Sequence, residues 1–335
     1  MAVGPENEAV VLAAVDGGIC LSCHDLVVRK FDSRGAVDAD FGVRSGIVVD
    51  DVQHPPEYAN GRFVLHGAVA VQPDAKVLVA AGGTQGVTLV RLNPDGSLDP
   101  SFGTDGRVLT PLNGLATVSS VAVLGGGPIV VAGSVANSAG SDLFLARYTA
   151  LGQLDPTFGT GGVKVTDLGG SDLPAGVALR DGRVLVGAPE CCTGAGVPLA
   201  VAEFSATGDA LPLFDGRTPP GLAGEVPTGI STLIARENGS LMVVGSGGEG
   251  AFVGSYLPNG NPDARFGEGG VAWIPSFTVE GSTGAVRDPQ GGVVLVGWRP
   301  VSSRIFEGED ALTIRRVRPN GRLDPNFGGA RPNLV

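Results

Sequence analysis

Six times along the chain the same short phrase ends in Phe, and the spacing of those Phe residues limits the possible folds more than any bulk property. Phe41, Phe102, Phe158, Phe214, Phe266 and Phe327 lie 61, 56, 56, 52 and 61 residues apart. A period of this size fits one small sheet per repeat, a propeller blade rather than one coil of a solenoid. The clearest copies read Arg-Leu-Asn-Pro-Asp-Gly-Ser-Leu-Asp-Pro-Ser-Phe-Gly at 91–103 and Arg-Tyr-Thr-Ala-Leu-Gly-Gln-Leu-Asp-Pro-Thr-Phe-Gly at 147–159. The 55 Gly and only 5% aromatic residues among 335 agree with many short strands and tight turns.

Each repeat predicts four strands. In the second they are 46–50 (a), 68–72 (b), 76–81 (c) and 87–92 (d), all apolar or β-branched and bounded by turn residues. Minimal turns such as Asp74-Ala75, Asp181-Gly182 and Asn238-Gly239 join b to c, because Asp, Asn and Gly tolerate positive φ. No helical periodicity of useful length competes with this reading. An Asp stands three residues before Phe in five copies, as Asp38, Asp99, Asp155, Asp263 and Asp324, where an Asx-type turn accepts local N–H groups and sets Phe between blades. The fourth copy has Leu211 in that place and Asp215 where Gly is expected, which predicts a looser or remodelled connection.

The ends of the chain argue for closure. The N-terminus reads as b (9–15), c (19–23) and d (26–31), and the stretch 330–335 follows the sixth Phe-Gly in the place of strand a. The expectation is an all-β, six-bladed β-propeller of four-stranded antiparallel blades, closed by the C-terminal strand completing the N-terminal blade, which removes exposed sheet edges. One domain spans 1–335, with blades at 9–31 plus 330–335, 46–92, 106–148, 162–204, 223–256 and 270–317.

The phrase Gly-x-Leu-Asp-Pro-x-Phe-Gly followed by Gly-Val, and then Asp-Gly-Arg-Val-Leu-Val-Gly, resembles the bacterial delta-60 repeat over nearly the whole chain. That resemblance implies a β-propeller, mostly within large exported or surface-associated bacterial proteins, and it implies no agreed activity. A secreted or cell-surface location is expected on this basis, although no basic leader precedes the first strand and Glu6 and Glu8 stand there instead.

A formal net charge of −11 with no Lys/Arg run speaks against nucleic-acid binding, and no apolar run is long enough for membrane insertion. The alternation of antiparallel strands puts the b–c and d–a connections at one end and the a–b and c–d loops at the other. The first set is stereotyped and the second differs in every copy, at 51–67, 134–142, 188–198 and 299–311, so binding is expected on the variable end. His54, Glu57, Tyr58, Arg62 and His66 gather polar groups in the first long loop, and Trp298, Arg299, Arg304 and Glu307 mix an aromatic with charge in the last. The His spacing matches no metal motif, so no metal and no cofactor are expected.

Cys20 and Cys23, followed by His24, formally match a haem-attachment sequence. Read as strand c, Cys20 aligns with Leu78 and Leu185, the two thiols point to opposite faces, and apolar packing is preferred over haem. Cys191-Cys192 is either a strained vicinal disulfide or two free thiols. No nucleophile with its base and no pair of carboxylates in repeat-breaking positions emerges. The function read from the sequence is a non-catalytic binding or scaffold module for a protein or glycan. The alternative is a hydrolase, lyase or metal-dependent enzyme with its site at a central channel, as the architecture permits.

Overall fold

Runs of Val, Leu, Ile and Ala bounded by Gly, Asp, Asn and Pro pair into 22 strands in the computed structural model. It describes residues 2–6, 8–16, 24–33, 36–42, 47–49, 67–123, 127–138, 140–168, 172, 174–188, 200–211, 227–236, 238–247, 250–275, 285–288, 290–300 and 310–327. No helix occurs among them.

The strands make six antiparallel sheets in which spatial order follows chain order. Sheet 1 holds β1 (Ala2–Val3), β2 (Ala9–Asp16), β3 (His24–Phe31) and β4 (Ile47–Val49); sheet 2 holds β5 (Gly67–Val71), β6 (Val77–Gly83), β7 (Gly86–Leu92) and β8 (Arg107–Pro111). Sheet 3 comprises β9 (Ala116–Val123), β10 (Ile129–Asn137), β11 (Gly140–Tyr148) and β12 (Val163–Thr166). In sheet 4, β13 (Gly176–Arg180), β14 (Arg183–Ala188) and β15 (Ala200–Phe204) are described. Sheet 5 is β16 (Pro227–Ala235), β17 (Leu241–Gly247), β18 (Gly250–Tyr256) and β19 (Val271–Pro275). Sheet 6 shows β20 (Ala285–Arg287), β21 (Val293–Pro300) and β22 (Asp310–Val317).

The chain divides into two units, residues 1–174 with sheets 1 to 3 and residues 175–335 with sheets 4 to 6. Within the first, apolar side chains from sheets 1 and 2 share one core that includes Phe41, and those from sheets 2 and 3 share another that includes Phe102. Within the second, Leu233 and Phe252 join sheets 4 and 5 in one core, and Phe266 lies in a core with sheet 6. The first strands of successive sheets are neighbours in each unit, β1 by β5, β5 by β9, β13 by β16 and β16 by β20. Face-to-face stacking with the first strands together follows from sheets apolar on both faces, as the continuous burial of Val77 to Ala81 and Ala251 to Tyr256 shows. The buried Tyr148 hydroxyl meets Thr110 Oγ1 at 2.7 Å, linking sheets 2 and 3, and burial pushes its phenol up to about 12.

Strand grouping differs from the sequence reading. The segment after each Phe-Gly, taken as strand a of the following blade, pairs with the strand before it: β4 with β3, β8 with β7, β12 with β11 and β19 with β18. Residues 67–111 therefore form one sheet where 46–92 was expected, and 116–166 where 106–148 was expected. The reason is the turn itself. Leu92 bridges Leu98, Thr104 bridges Arg107, and Gly106 O accepts the Arg91 N–H, so the phrase folds the chain back onto its own edge.

The N-terminal sheet differs in the same way. Residues 9–16 are its second strand, since Ala9 faces Phe31 as Val77 faces Leu92, and Ala2–Val3 is its first. Val10, not Cys20, thus occupies the place of Leu78. Sheet 1 has four strands from residues 2–49 alone, so it lacks the gap that 330–335 was expected to fill. Residues 330–335 themselves lie outside the described residues, as do 19–23.

Candidate functional site

Antiparallel order sorts the connections into two ends, and their chemistry is unlike. At the first end lie the first-to-second turns and the Phe-Gly phrases. The turns are held by short backbone bonds: Ala75 N–H to Gln72 O at 2.9 Å, Gly239 N–H to Arg236 O at 2.9 Å and Gly291 N–H to Asp288 O at 2.8 Å. Ala75 sits at φ 62° in the place that Gly239 and Gly291 fill, a left-handed position that suits Gly.

In the phrases, Asp38, Asp99, Asp155, Asp263 and Asp324 each accept the N–H two residues on through Oδ1, at 3.0 to 3.2 Å. Phe41, Phe102, Phe158 and Phe266 are buried and Phe327 is half-buried, while Phe214 lies outside the described residues. The Asp residues carry a second role that the turn reading missed: a cation eight residues earlier pairs with four of them. Lys30 lies 3.4 Å from Asp38, Arg91 2.8 Å from Asp99, Arg147 2.9 Å from Asp155 and Arg316 3.7 Å from Asp324. The same cations stand over Phe41, Phe102, Phe158 and Phe327 at 5.9, 4.5, 4.8 and 5.7 Å from the ring centres. The basic residue at that fixed separation was the signal available in the sequence.

Asp99 is the most enclosed of the set. Burial works to raise its pKa, but hydrogen bonds from Lys76 and Ser101 and the charge of Arg91 outweigh it and hold the carboxyl well below the usual range. Sheet 4 inverts the charges: Glu203 stands where Arg91 and Arg147 stand, Leu211 replaces Asp, and Arg180 and Arg183 bind Glu203 at 3.3 and 3.0 Å. Among the described residues, the repeated charges at this end thus find partners within the protein.

The second end carries the second-to-third and fourth-to-first connections, and these vary. Two residues suffice at 84–85 and 138–139, whereas 17–23, 189–199, 301–309 and 50–66 are long. His54, Glu57, Tyr58, Arg62 and His66 fall in the last of these, outside the described residues, as do Arg304 and Glu307, Cys191 and Cys192. Trp298 and Arg299 lie on β21, where their backbones face Leu312 and Ala311. The two groups expected to form a site are therefore not brought into a described contact.

What the described residues do bring together at this end is an acidic triad that the sequence reading did not single out. Asp142 at the start of β11, Asp167 just beyond β12 and Asp172 in the loop after it place carboxylate oxygens within 4.8 Å of one another. Asp172 is buried; its Oδ2 accepts the Leu168 N–H at 2.7 Å and its own N–H donates to Ser141 O at 2.9 Å. Three carboxylates are hard donors that suit a divalent cation or a cationic side chain, not a soft metal. The pair Asp167 and Asp172 in Asp-Leu-Gly-Gly-Ser-Asp was visible in the sequence, but Asp142 joins them only through strand pairing, with Leu143 opposite Thr166.

No curated protein sequence matches the chain significantly. Among solved structures it is similar to TolB from Acinetobacter baumannii, at 13% identity and a TM-score of 0.49, over 96% of this chain and 63% of that one. It thus spans less than two thirds of the TolB chain. It is also similar to polysaccharide lyase Uly1, at 10% identity and a TM-score of 0.47, over 95% and 80% of the two chains. The PQQ-bound aldose sugar dehydrogenase from Streptomyces coelicolor gives 14% identity and a TM-score of 0.41, over 82% and 80%. A family model described as a domain of unknown function (DUF5122) beta-propeller matches residues 72–102 and 127–158, within sheets 2 and 3. With six consecutive antiparallel sheets, that match makes the chain an all-β, propeller-like protein.

Proposed function

We propose that this chain is a non-catalytic binding or scaffold module of a secreted or surface-associated bacterial protein, that its six sheets are the blades of one propeller, and that it recognises a protein or glycan at the variable end. The observation that carries this reading is the contrast between the two ends. At one, Asp, Arg, Lys and Phe satisfy one another in sheets 1, 2, 3 and 6. At the other, connections range from two residues to the whole of 50–66 on the same scaffold, the arrangement that lets recognition vary without disturbing the core. His54, Glu57, Tyr58, Arg62, His66, Trp298, Arg299, Arg304 and Glu307 are the proposed contact residues.

The test is to replace the connections 51–66 and 301–309 with short Gly-containing turns, separately and together. Binding is then measured to a glycan array and to extracted bacterial envelope proteins. The reading expects the intact chain to bind a member of one panel, the replacements to abolish that binding, and the melting temperature to stay within about 2 °C, as for surface changes remote from the core. Binding that survives both replacements overturns it, and so does turnover of an array glycan by the intact chain.

A further inference from the structure

Six copies of one sheet within a single chain form a natural experiment in substitution, and the cations at the stereotyped end supply the result. In sheets 1 and 2 the cation is on the third strand, as Lys30 and Arg91. In sheet 4 that position holds Glu203 and in sheet 5 Ser255, and the cation moves to the end of the first strand, as Arg180, or to the residue just beyond it, as Arg236. Its target does not change in kind. Lys30 Nζ donates to Pro94 O at 3.4 Å, Arg91 to Ala150 O at 2.5 Å, Arg180 to Gly239 O at 3.2 Å and Arg236 to Gly291 O at 3.0 Å. Each carbonyl belongs to a turn of the next sheet. The third-strand cations reach the turn that follows the neighbour's third strand, and the first-strand cations reach the turn that follows its first.

A second link reaches the same turn as the cation in sheets 1 and 2 and the other turn of the neighbour in sheet 5. The N–H of the Gly that follows Phe donates to the next sheet's turn, Gly42 to Asp95 O at 2.8 Å, Gly103 to Leu151 O at 2.9 Å and Gly267 to Asn320 O at 2.9 Å. Phe102 lies against Gly152 of that same turn, where a Cβ would stand 2.8 Å from the ring, so the neighbour's Gly is required for the approach.

We propose that the relocatable cation and the Phe-Gly amide together form a latch, which makes a sheet and the turns of its successor within the same unit open together. A cation present only to neutralise its own sheet's carboxylate would have no reason to reach a neighbouring carbonyl from two different strands. The moves from the Arg91 position to Arg180, with Glu203 taking the acid's part, keep that reach while exchanging everything around it. Charge-assisted bonds to a carbonyl are directional, and four of them, from 2.5 to 3.4 Å, bridge sheets with no backbone ladder between them. The latch is therefore a device for cooperativity between sheets, whose other described contacts are apolar packing and, between sheets 2 and 3, the Tyr148–Thr110 hydrogen bond.

Amide hydrogen exchange on the full chain tests this, read by NMR at single residues. Arg91→Gln removes one arm while Asp99 keeps Lys76 at 2.9 Å and Ser101 Oγ at 2.7 Å. The expected result is at least tenfold faster exchange at Gly103 and across the 149–153 turn, with Gln72 and Ala75 in the sheet's own hairpin unchanged. Unchanged rates at Gly103 and 149–153, or equal acceleration throughout sheets 2 and 3, overturn the proposal. If the variant does not fold, the unmodified chain decides. Gly103 and Gly152 must then show the same opening equilibrium and the same urea dependence, and two separate openings refute the latch.

Discussion

Replacing Asp99 with Asn removes one charge from the most enclosed ionic group at the stereotyped end. Its carboxylate accepts from Lys76 at 2.9 Å, Arg91 at 2.8 Å and Ser101 at 3.0 Å from nitrogen and 2.7 Å from oxygen. The Asp99 and Arg91 side chains are 5% and 6% exposed, so solvent screens the pair little, whereas Lys76 at 26% can turn back to water. Breaking a buried pair by removing one partner costs about 3–5 kcal/mol. The amide that replaces the carboxylate keeps an oxygen for Ser101, and release of Lys76 relieves part of the loss, which puts Asp99→Asn near ~3 kcal/mol. Asp155→Asn is the internal control. There the pair is 22% and 12% exposed and has no Lys76 equivalent, so about 1–2 kcal/mol is expected. Urea unfolding followed by far-ultraviolet circular dichroism is the suitable assay, because both Trp, at 273 and 298, lie in the other unit. A cost for Asp99→Asn below ~1 kcal/mol, or no larger than for Asp155→Asn, would refute the claim that enclosure sets the strength of these pairs.

Acid should loosen the fold through the same carboxylates. Asp155 is lowered chiefly by the Thr157 hydroxyl and Asp324 chiefly by Arg318, while in Asp99 and Asp263 hydrogen bonds and nearby cations override the effect of burial. A folded pKa below the unfolded one stabilises fully above the unfolded value, about 4, and that stability is lost as pH falls through the folded pKa. The melting temperature is expected to drop below about pH 4, and to drop less steeply in Asp99→Asn; a curve of equal steepness would contradict this. The Gly of the phrase offers a paired test. Gly103 sits at φ 55° and a Cβ there would overlap Arg107 O, so Gly103→Ala should lower the urea midpoint by the equivalent of more than ~1 kcal/mol. Asp215→Gly, at the matching place in the fourth copy, should raise it, and a lowered midpoint would show that this copy has a turn of its own.

The sequence alone determined the all-β repeat, the turn phrases around Phe41, Phe102, Phe158, Phe266 and Phe327, and the Asx turns around Asp99 and its counterparts. These are local events, in which a side chain bonds to the backbone two residues away or a Gly supplies a positive φ. Even the Arg-to-Asp separation of eight residues is a fixed offset that the strand and its turn make regular. The grouping of strands was not legible. The run 107–111 reads the same whether it ends one sheet or begins the next, and only its pairing with β7, begun by the bond from Arg91 N–H to Gly106 O, decides for its own sheet. The same blindness misassigned 9–16, because Ala2–Val3 is too short to register as a strand until it pairs. Asp142 could not be joined to Asp167 and Asp172 by reading along the chain, since a β-pair between β11 and β12 brings them together. What tertiary structure alone decided was which carbonyl each cation reaches. That depends on how one sheet stacks on the next, a non-local geometry on which residues close in sequence carry no information.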